Sequence, residues 1–337
     1  MTLLHVPVID LSPYREGTQE GRAAVAAQVG QACKDIGFLV VSGHGISEEL
    51  IKKTHDVSAR FFALPHAEKL AVDRPAPDQV RGYSTVGGEG LSFSLDEPTP
   101  PDIKESLSIG PIDVPPNDPY YTNAEAGPHF AKNIWPPEPP DLKAVWTEYF
   151  GAVDALARDL MRIFALALNL DEHYFDPTID KNISMMRVLR YPAQTTAPLP
   201  GQLRAGAHSD YGSMTILRKD LSDASLQVKN KAGEWVGVPV IEGTFIVNIG
   251  DLMQQWTNDL WSSTVHRVVN PELGSPENVD RLSIVFFHQP NYDAIVECLP
   301  TCTSAENPPK YAPTTSGENL LSKFVKQTTF GKGEKAA

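Results

Sequence analysis

The first 65 residues alternate between short runs of consecutive hydrophobics and stretches where hydrophobics return every third or fourth position. "VPVIDL" (6–11) predicts a short strand closed by Ser12-Pro13. Across 23–37, Val25, Val29, Ala32 and Ile36 fall at helical spacing, and Gly37 sits where a left-handed residue ends a helix. "FLVVSGHG" (38–45) predicts a buried strand. Ser47 then caps a second helix through Leu50, Ile51, Thr54, Val57, Phe61 and Phe62, with Pro65 past its end. From 98 to 140 the pattern dissolves: twelve of the 29 prolines fall there. Regular helix is excluded over most of that stretch, which predicts a long connection packed over the core. The clearest helix follows, with Val153, Leu156, Ala157, Leu160, Met161, Phe164, Ala165 and Leu168 on one face. From 183 onward, short extended runs such as "ISMMRVLRY", "SMTILRKD", "GTFIVNIGD", "STVHRVVN" and "RLSIVFFHQ" alternate with turns. The tail "SGENLLSKFVKQTTF" (316–330) reads as helix.

Many short strands in close succession predict a sandwich or barrel, so the economical reading is one α+β unit around a barrel. Its N-terminal mixed region covers 1–140 and its barrel core with the C-terminal helix covers 141–337. Hydrophobic residues make up 41% and charged residues 21%, an ordinary globular balance. A net charge of −13 argues against nucleic acid as a partner, because phosphate contact needs a positive field. His5, Pro7 and Asp10 interrupt the opening hydrophobics, and no apolar run reaches membrane-spanning length. The expectation is a cytoplasmic protein with no membrane partner, its three cysteines (Cys33, Cys298, Cys302) reduced.

Against that background "AHSDYGSMTIL" (207–217) stands out. Read as one strand, it points His208 and Asp210 to the same face, about 7 Å apart along the chain. An imidazole and a carboxylate aimed together are two thirds of a site for a divalent metal. H-x-D alone is a common accident, so a third ligand is needed. His266 supplies one: it lies in the β-branched run "STVHRVVN", 266 − 210 = 56 positions on, room for several barrel strands. His5, His55, His66, His129 and His173 fall where solvated histidines belong, and His288 beside Pro290 reads as a turn or core histidine. Arg281 and Ser283, two apart in "RLS", offer a guanidinium fork and a hydroxyl for a small carboxylate.

H-x-D, a gap of fifty-odd residues, H, then R-x-S resembles the Fe(II)- and 2-oxoglutarate-dependent dioxygenases of the isopenicillin N synthase-like family. "VPVIDLS", "CKDIGFLVVSGHGI", "DIKES", "NIWP", "MRVLRYP" and "FFHQPNYDA" extend the similarity over nearly the whole chain. The resemblance implies a double-stranded β-helix (jelly-roll, cupin-like) with flanking helices. It also implies Fe(II) on His208, Asp210 and His266, and 2-oxoglutarate gripped by Arg281 and Ser283 with Tyr191 nearby. Oxidation of a small-molecule C–H bond by O2 would then release succinate and CO2, with ascorbate an optional reductant. Substrate-selecting side chains would come from 81–95, from the region of Arg187 and Arg190, and from the C-terminal helix; Tyr83 and Phe93 are the candidates in the first. The gap from His266 to Arg281, fifteen positions, is longer than the family's usual one, with "ELGSPENVD" as an extended hairpin. Three alternatives stand beside this reading: a same-fold Fe(II) oxidase that uses no 2-oxoglutarate, a non-catalytic ligand- or metal-binding barrel, and a zinc hydrolase. The prime substrate and the oligomeric state are not legible.

Overall fold

The structure, a computed structural model, describes residues 5–76, 79–97, 99–220 and 225–329. In chain order its strands are β1 (Val8–Asp10), β2 (Phe38–Ser42), β3 (Gly82–Ser84), β4 (Glu105–Ile109), β5 (Met185–Tyr191) and β6 (Ala205–His208). They continue with β7 (Met214–Lys219), β8 (Leu226–Lys229), β9 (Trp235–Gly237), β10 (Phe245–Ile249), β11 (His266–Val268) and β12 (Arg281–His288). Four longer helices flank them: α1 (Gln19–Asp35), α2 (Glu48–Phe62), α3 (Leu142–Ala167) and α4 (Ser316–Thr328). Phe330, the end of the tail read as helical, lies outside the described residues.

These twelve strands form an eight-stranded sheet, β1-β2-β10-β7-β12-β5-β4-β3, and a four-stranded one, β6-β11-β8-β9, while two further short strands, Ile295–Val296 and Thr314–Thr315, pair with each other. All ladders are antiparallel except β1 with β2. The larger sheet therefore takes strands from both halves of the chain, and α1, α2 and α3 cover its outer face. Helix starts follow the sequence signals: Ser47 Oγ accepts from Leu50 N–H at 3.2 Å, and Gly37 ends the α1 segment at φ 68°. One face of α3 buries Trp146, Phe150, Leu160 and Phe164, and Phe150 meets Phe286 of β12 edge-on at 5.1 Å. This jelly-roll with helices along one side is the architecture expected. Among the described residues no helix is long and apolar enough to cross a membrane.

Two local readings change. The proline-rich connection contains a full strand, β4, with all five residues buried and paired to β5. Prolines stand on either side of 102–110 but not within it, so its N–H groups are free for the ladder. His208 and Asp210 also do not share a strand: β6 ends at His208, and Ser209–Ser213 carries the chain from the small sheet to the large one. Backbone bonds pin that turn, from Ser213 N to His288 O and from Asp251 N to Asp210 O, at 3.2 and 2.7 Å.

Candidate active site

Strand periodicity decides what faces the space between the sheets. Met185, Arg187, Leu189 and Tyr191 of β5 line a cavity there, as do Arg281, Ser283, Val285 and Phe287 of β12. The alternate residues Met186, Val188, Ile284 and Phe286 join the core under the helices. The cavity opens to the outside, and the non-atom space between its walls and at its mouth amounts to about 970 Å³.

His208, Asp210 and His266 meet on its wall. β11 pairs His266 directly with His208, and the turn after β6 swings Asp210 to them. Asp210 Oδ1 lies 3.8 Å from Nε2 of each imidazole, and one donor atom from each residue falls within 4.8 Å of the others. What these atoms do not use is already committed. Nδ1 of His208 donates to Gly206 O at 2.7 Å and Nδ1 of His266 to Thr264 O at 3.1 Å, which leaves both Nε2 lone pairs facing the centre. Asp210 Oδ2 accepts from Thr215 Oγ1 and Asn248 Nδ2 at 2.5 and 2.7 Å, so Oδ1 remains. Burial pushes the His208 imidazole down to about 3, helped by the neighbouring His266. Burial works to raise Asp210, but the two imidazoles and its two hydrogen bonds outweigh it and keep the carboxyl below its usual range. Neutral imidazoles and an ionised carboxylate are what a divalent cation needs.

Ser92 packs closely on Gly206, whose carbonyl orients His208: a Cβ there would lie 2.2 Å from Ser92 Oγ and would force that side chain to move. The Gly206 N–H donates to Asp102 Oδ1 at 2.9 Å, and Asp102 Oδ2 accepts from Lys104 Nζ at 2.8 Å. A buried ion pair thus positions the strand that carries the first histidine.

Arg281, Ser283 and Tyr191 lie together at one end of the cavity. Arg281 pairs across the ladder with Tyr191, its guanidinium 4.5 Å from the ring centroid, and Ser283 pairs with Lys219. The β12–β5 register runs unbroken through seven pairs, and the long insertion before it is a separate turn at 273–278. Four residues along β5 from Tyr191, about 13 Å, Arg187 donates to Ser108 Oγ and to buried Glu89, each at 3.0 Å. Burial works to raise Glu89, but Arg187, Lys104 and Arg74 overcome it and hold the carboxyl below its usual range. From α4, Gln327 donates to Glu89 and accepts from Tyr211 Oη, at 3.2 and 3.1 Å, which ties this helix across the cavity.

Three expected substrate residues are elsewhere. Arg190 has the opposite parity to Arg187 on β5 and pairs with Glu105 and Asp280. Tyr83 pairs across β3–β4 with Leu107, on the helix side, and donates to Glu105. Phe93 is not among the cavity-lining residues; Leu91 is, because positions two apart on a turn of three residues face different ways. His129 is buried and stacks on Tyr292 rather than standing in solvent. His288 is a core histidine hydrogen-bonded to Ser213 Oγ at 2.6 Å.

Asn248, Thr215, Asp102, Lys104 and Glu89 were not singled out from the sequence. Asn248 carried a signal, as the one polar residue inside "FIVNI"; the others become visible only when the strands pair.

Residues 6–138 match the family described as the non-haem dioxygenase in morphine synthesis N-terminal region, and 182–290 match the 2OG-Fe(II) oxygenase superfamily. The chain is 35% identical to the 2-oxoglutarate-Fe(II) type oxidoreductase hxnY of Emericella nidulans, over 97% of this chain and 91% of that one. It is 33% identical to a homoarginine-6-hydroxylase of Oryza sativa, over 95% and 96% of the two chains. The crystal structure of a full-length Neurospora crassa protein in complex with alpha-KG and thymine superposes with a TM-score of 0.82 at 33% identity, covering 95% and 96%.

Proposed function

The chain belongs to the 2OG-Fe(II) oxygenase superfamily, and from that membership we propose that His208, Asp210 and His266 hold the Fe(II) while Arg281, Ser283 and Tyr191 seat 2-oxoglutarate. The protein is an Fe(II)- and 2-oxoglutarate-dependent oxygenase that uses O2 and acts on a small-molecule substrate. The observation that carries the residue assignment is the convergence of two Nε2 atoms and Asp210 Oδ1 with every companion atom already bonded. Two imidazoles and one carboxylate fit Fe(II) and leave room for further ligands.

When bound, the iron with 2-oxoglutarate and O2 supplies the oxidising chemistry, with release of succinate and CO2. The chain itself contributes position and environment. Arg281 presents a planar fork of donors and Ser283 a hydroxyl, on one strand face, to the far carboxylate of 2-oxoglutarate. Tyr191 packs under the guanidinium and restricts its rotation. Leu189, Leu217, Val285 and Phe287 keep the walls apolar, which excludes water around the reacting groups. The alpha-KG-bound relatives favour 2-oxoglutarate over the same-fold oxidase alternative.

Anaerobic Fe(II) titration with and without 2-oxoglutarate tests the assignment through the visible absorption of the chelate. The expected result is a band in the parent, absent in Arg281→Ala, and no iron binding in Asp210→Ala. Undiminished iron binding in Asp210→Ala would remove the assignment.

A further inference from the structure

The run "LRKD" (217–220), at the end of β7 and one residue past it, sets three charged side chains in a row, and strand alternation splits them between two faces. Arg218 and Asp220 are engaged outside the cavity. Arg218 donates to Glu48 at 3.1 Å, while Asp220 lies 2.9 Å from His55 Nε2 and accepts from Leu282 N–H at 2.8 Å. Lys219 has the other parity. With Thr215 and Leu217 it lines the cavity, and 7% of its surface stays open.

The ladder with β12 fixes where the lysine side chain starts. Lys219 stands directly opposite Ser283, Leu217 opposite Val285 and Thr215 opposite Phe287, and all six line the cavity. Opposed side chains on one face of an antiparallel pair have Cβ atoms about 4.5–5.5 Å apart, and diagonal neighbours remain within reach of long side chains. Ser283 therefore has Lys219 beside it, and Arg281, two residues earlier on β12, is diagonal to that lysine. Among the described residues the cavity wall carries four cations, Lys104, Arg187, Lys219 and Arg281, and one carboxylate, Asp210. Lys104 and Arg187 are committed to Asp102 and Glu89, at 2.8 and 3.0 Å. Arg281 and Lys219 are gathered around Ser283 instead, on adjoining strands.

We propose that Lys219 is a second cation for the far carboxylate of 2-oxoglutarate, and that it sets the preference for a dicarboxylic over a monocarboxylic 2-oxo acid. This rests on the oxygenase reading above. A carboxylate accepts at about four positions. The guanidinium fork of Arg281 fills two and the Ser283 hydroxyl one, which leaves one for an ammonium arriving from β7. Lysine suits that place because it is a compact charge on a flexible stem and needs no fixed plane.

The test uses the Fe(II)-loaded protein under argon and the visible absorption of the chelate. 2-Oxoglutarate is compared with 2-oxovalerate, which keeps the chelating end and carries a methyl group in place of the far carboxylate; initial slopes serve where it does not saturate. Lys219→Gln and Lys219→Met should each bind 2-oxoglutarate about tenfold more weakly than the parent. Both should bind 2-oxovalerate, and Fe(II) alone, within about twofold of the parent. Lys219→Arg keeps the charge and the donors and should stay nearer the parent than either neutral variant. The neutral variants differ in polarity, so if one fails to fold the other decides, and failure of both makes the lysine structural and overturns the proposal. A loss of 2-oxoglutarate affinity below about threefold also overturns it. So does an equal loss for the two 2-oxo acids, or a matching loss of Fe(II) affinity. A parent that binds no 2-oxoglutarate sinks the co-substrate assignment itself, whereas loss in Arg281→Ala with retention in the Lys219 variants sinks only the role of Lys219.

Discussion

Asn248 Nδ2 donates to Asp210 Oδ2 at 2.7 Å from the strand beside β7, and so fixes which oxygen of the carboxylate faces the two imidazoles. Partners of this kind typically hold metal affinity up by about 10–100-fold. Asn248→Ala is therefore expected to weaken Fe(II) binding by roughly that factor, with Thr215→Val doing less because Asn248 still holds Oδ2. Competitive metal titration reads both. An Asn248→Ala protein that binds iron as the parent does would mean the carboxylate orients itself.

Arg281→Lys separates charge from shape. Lysine keeps the positive charge but loses the planar fork and the stacking on Tyr191. The expected outcome is about a tenfold or greater rise in the 2-oxoglutarate dissociation constant, with Fe(II) binding unchanged. If Arg281→Lys binds 2-oxoglutarate like the parent, a point charge is sufficient and the fork has no role.

Residues on long, regular strands were legible because one rule, alternation, governs them. Arg281 and Ser283 follow from it, whereas His266, on a strand of only three residues, was marked by the β-branched run around it. His208 and Asp210 were found for a reason that does not survive: the pair converges across a turn between two sheets, not along one strand face. Arg190 and Tyr83 were misplaced because nearness in sequence to Arg187 says nothing about facing, whereas the β4–β5 and β3–β4 registers turn both toward the helices. Glu89, Asp102 and Lys104 were invisible for a different reason. Their roles depend on pairings between segments up to 238 positions apart, Glu89 with Gln327, and 104 for Asp102 with Gly206, and no local pattern encodes those.

Glu105 defines what Arg190 and Tyr83 do instead. Its buried carboxylate takes Lys69 Nζ at 2.7 Å together with Tyr83 Oη and Arg190. Glu105→Ala leaves the Lys69 ammonium buried without its partner, which typically costs about 3–5 kcal/mol. Urea unfolding should show that loss, while Arg190→Ala leaves 2-oxoglutarate binding and the KM for any identified substrate within about twofold. A large KM change in Arg190→Ala with unchanged stability would return that residue to the substrate site.

His288 sets part of the acid sensitivity of the fold. Burial pushes its imidazole down to about 3, with Arg158 adding to the effect, so the folded protein keeps it neutral while an unfolded chain protonates it near its ordinary value of 6.5. Between those values the unfolded state binds one more proton at this position, and stability therefore falls as pH falls, by up to about 1.4 kcal/mol per unit. Above 6.5 the contribution is constant. His288→Gln loses the bond to Ser213 at neutral pH but removes this proton uptake. The parent's stability advantage over the variant should accordingly shrink as urea unfolding is repeated at about pH 6.5, 5.5 and 4.5, roughly the window these values bracket. Carboxylates and the other buried histidines titrate in both proteins and drop out of the difference. Parallel curves for the two proteins over that window would mean His288 is protonated in the folded state or reached by water, and its buried neutral form would have to be given up.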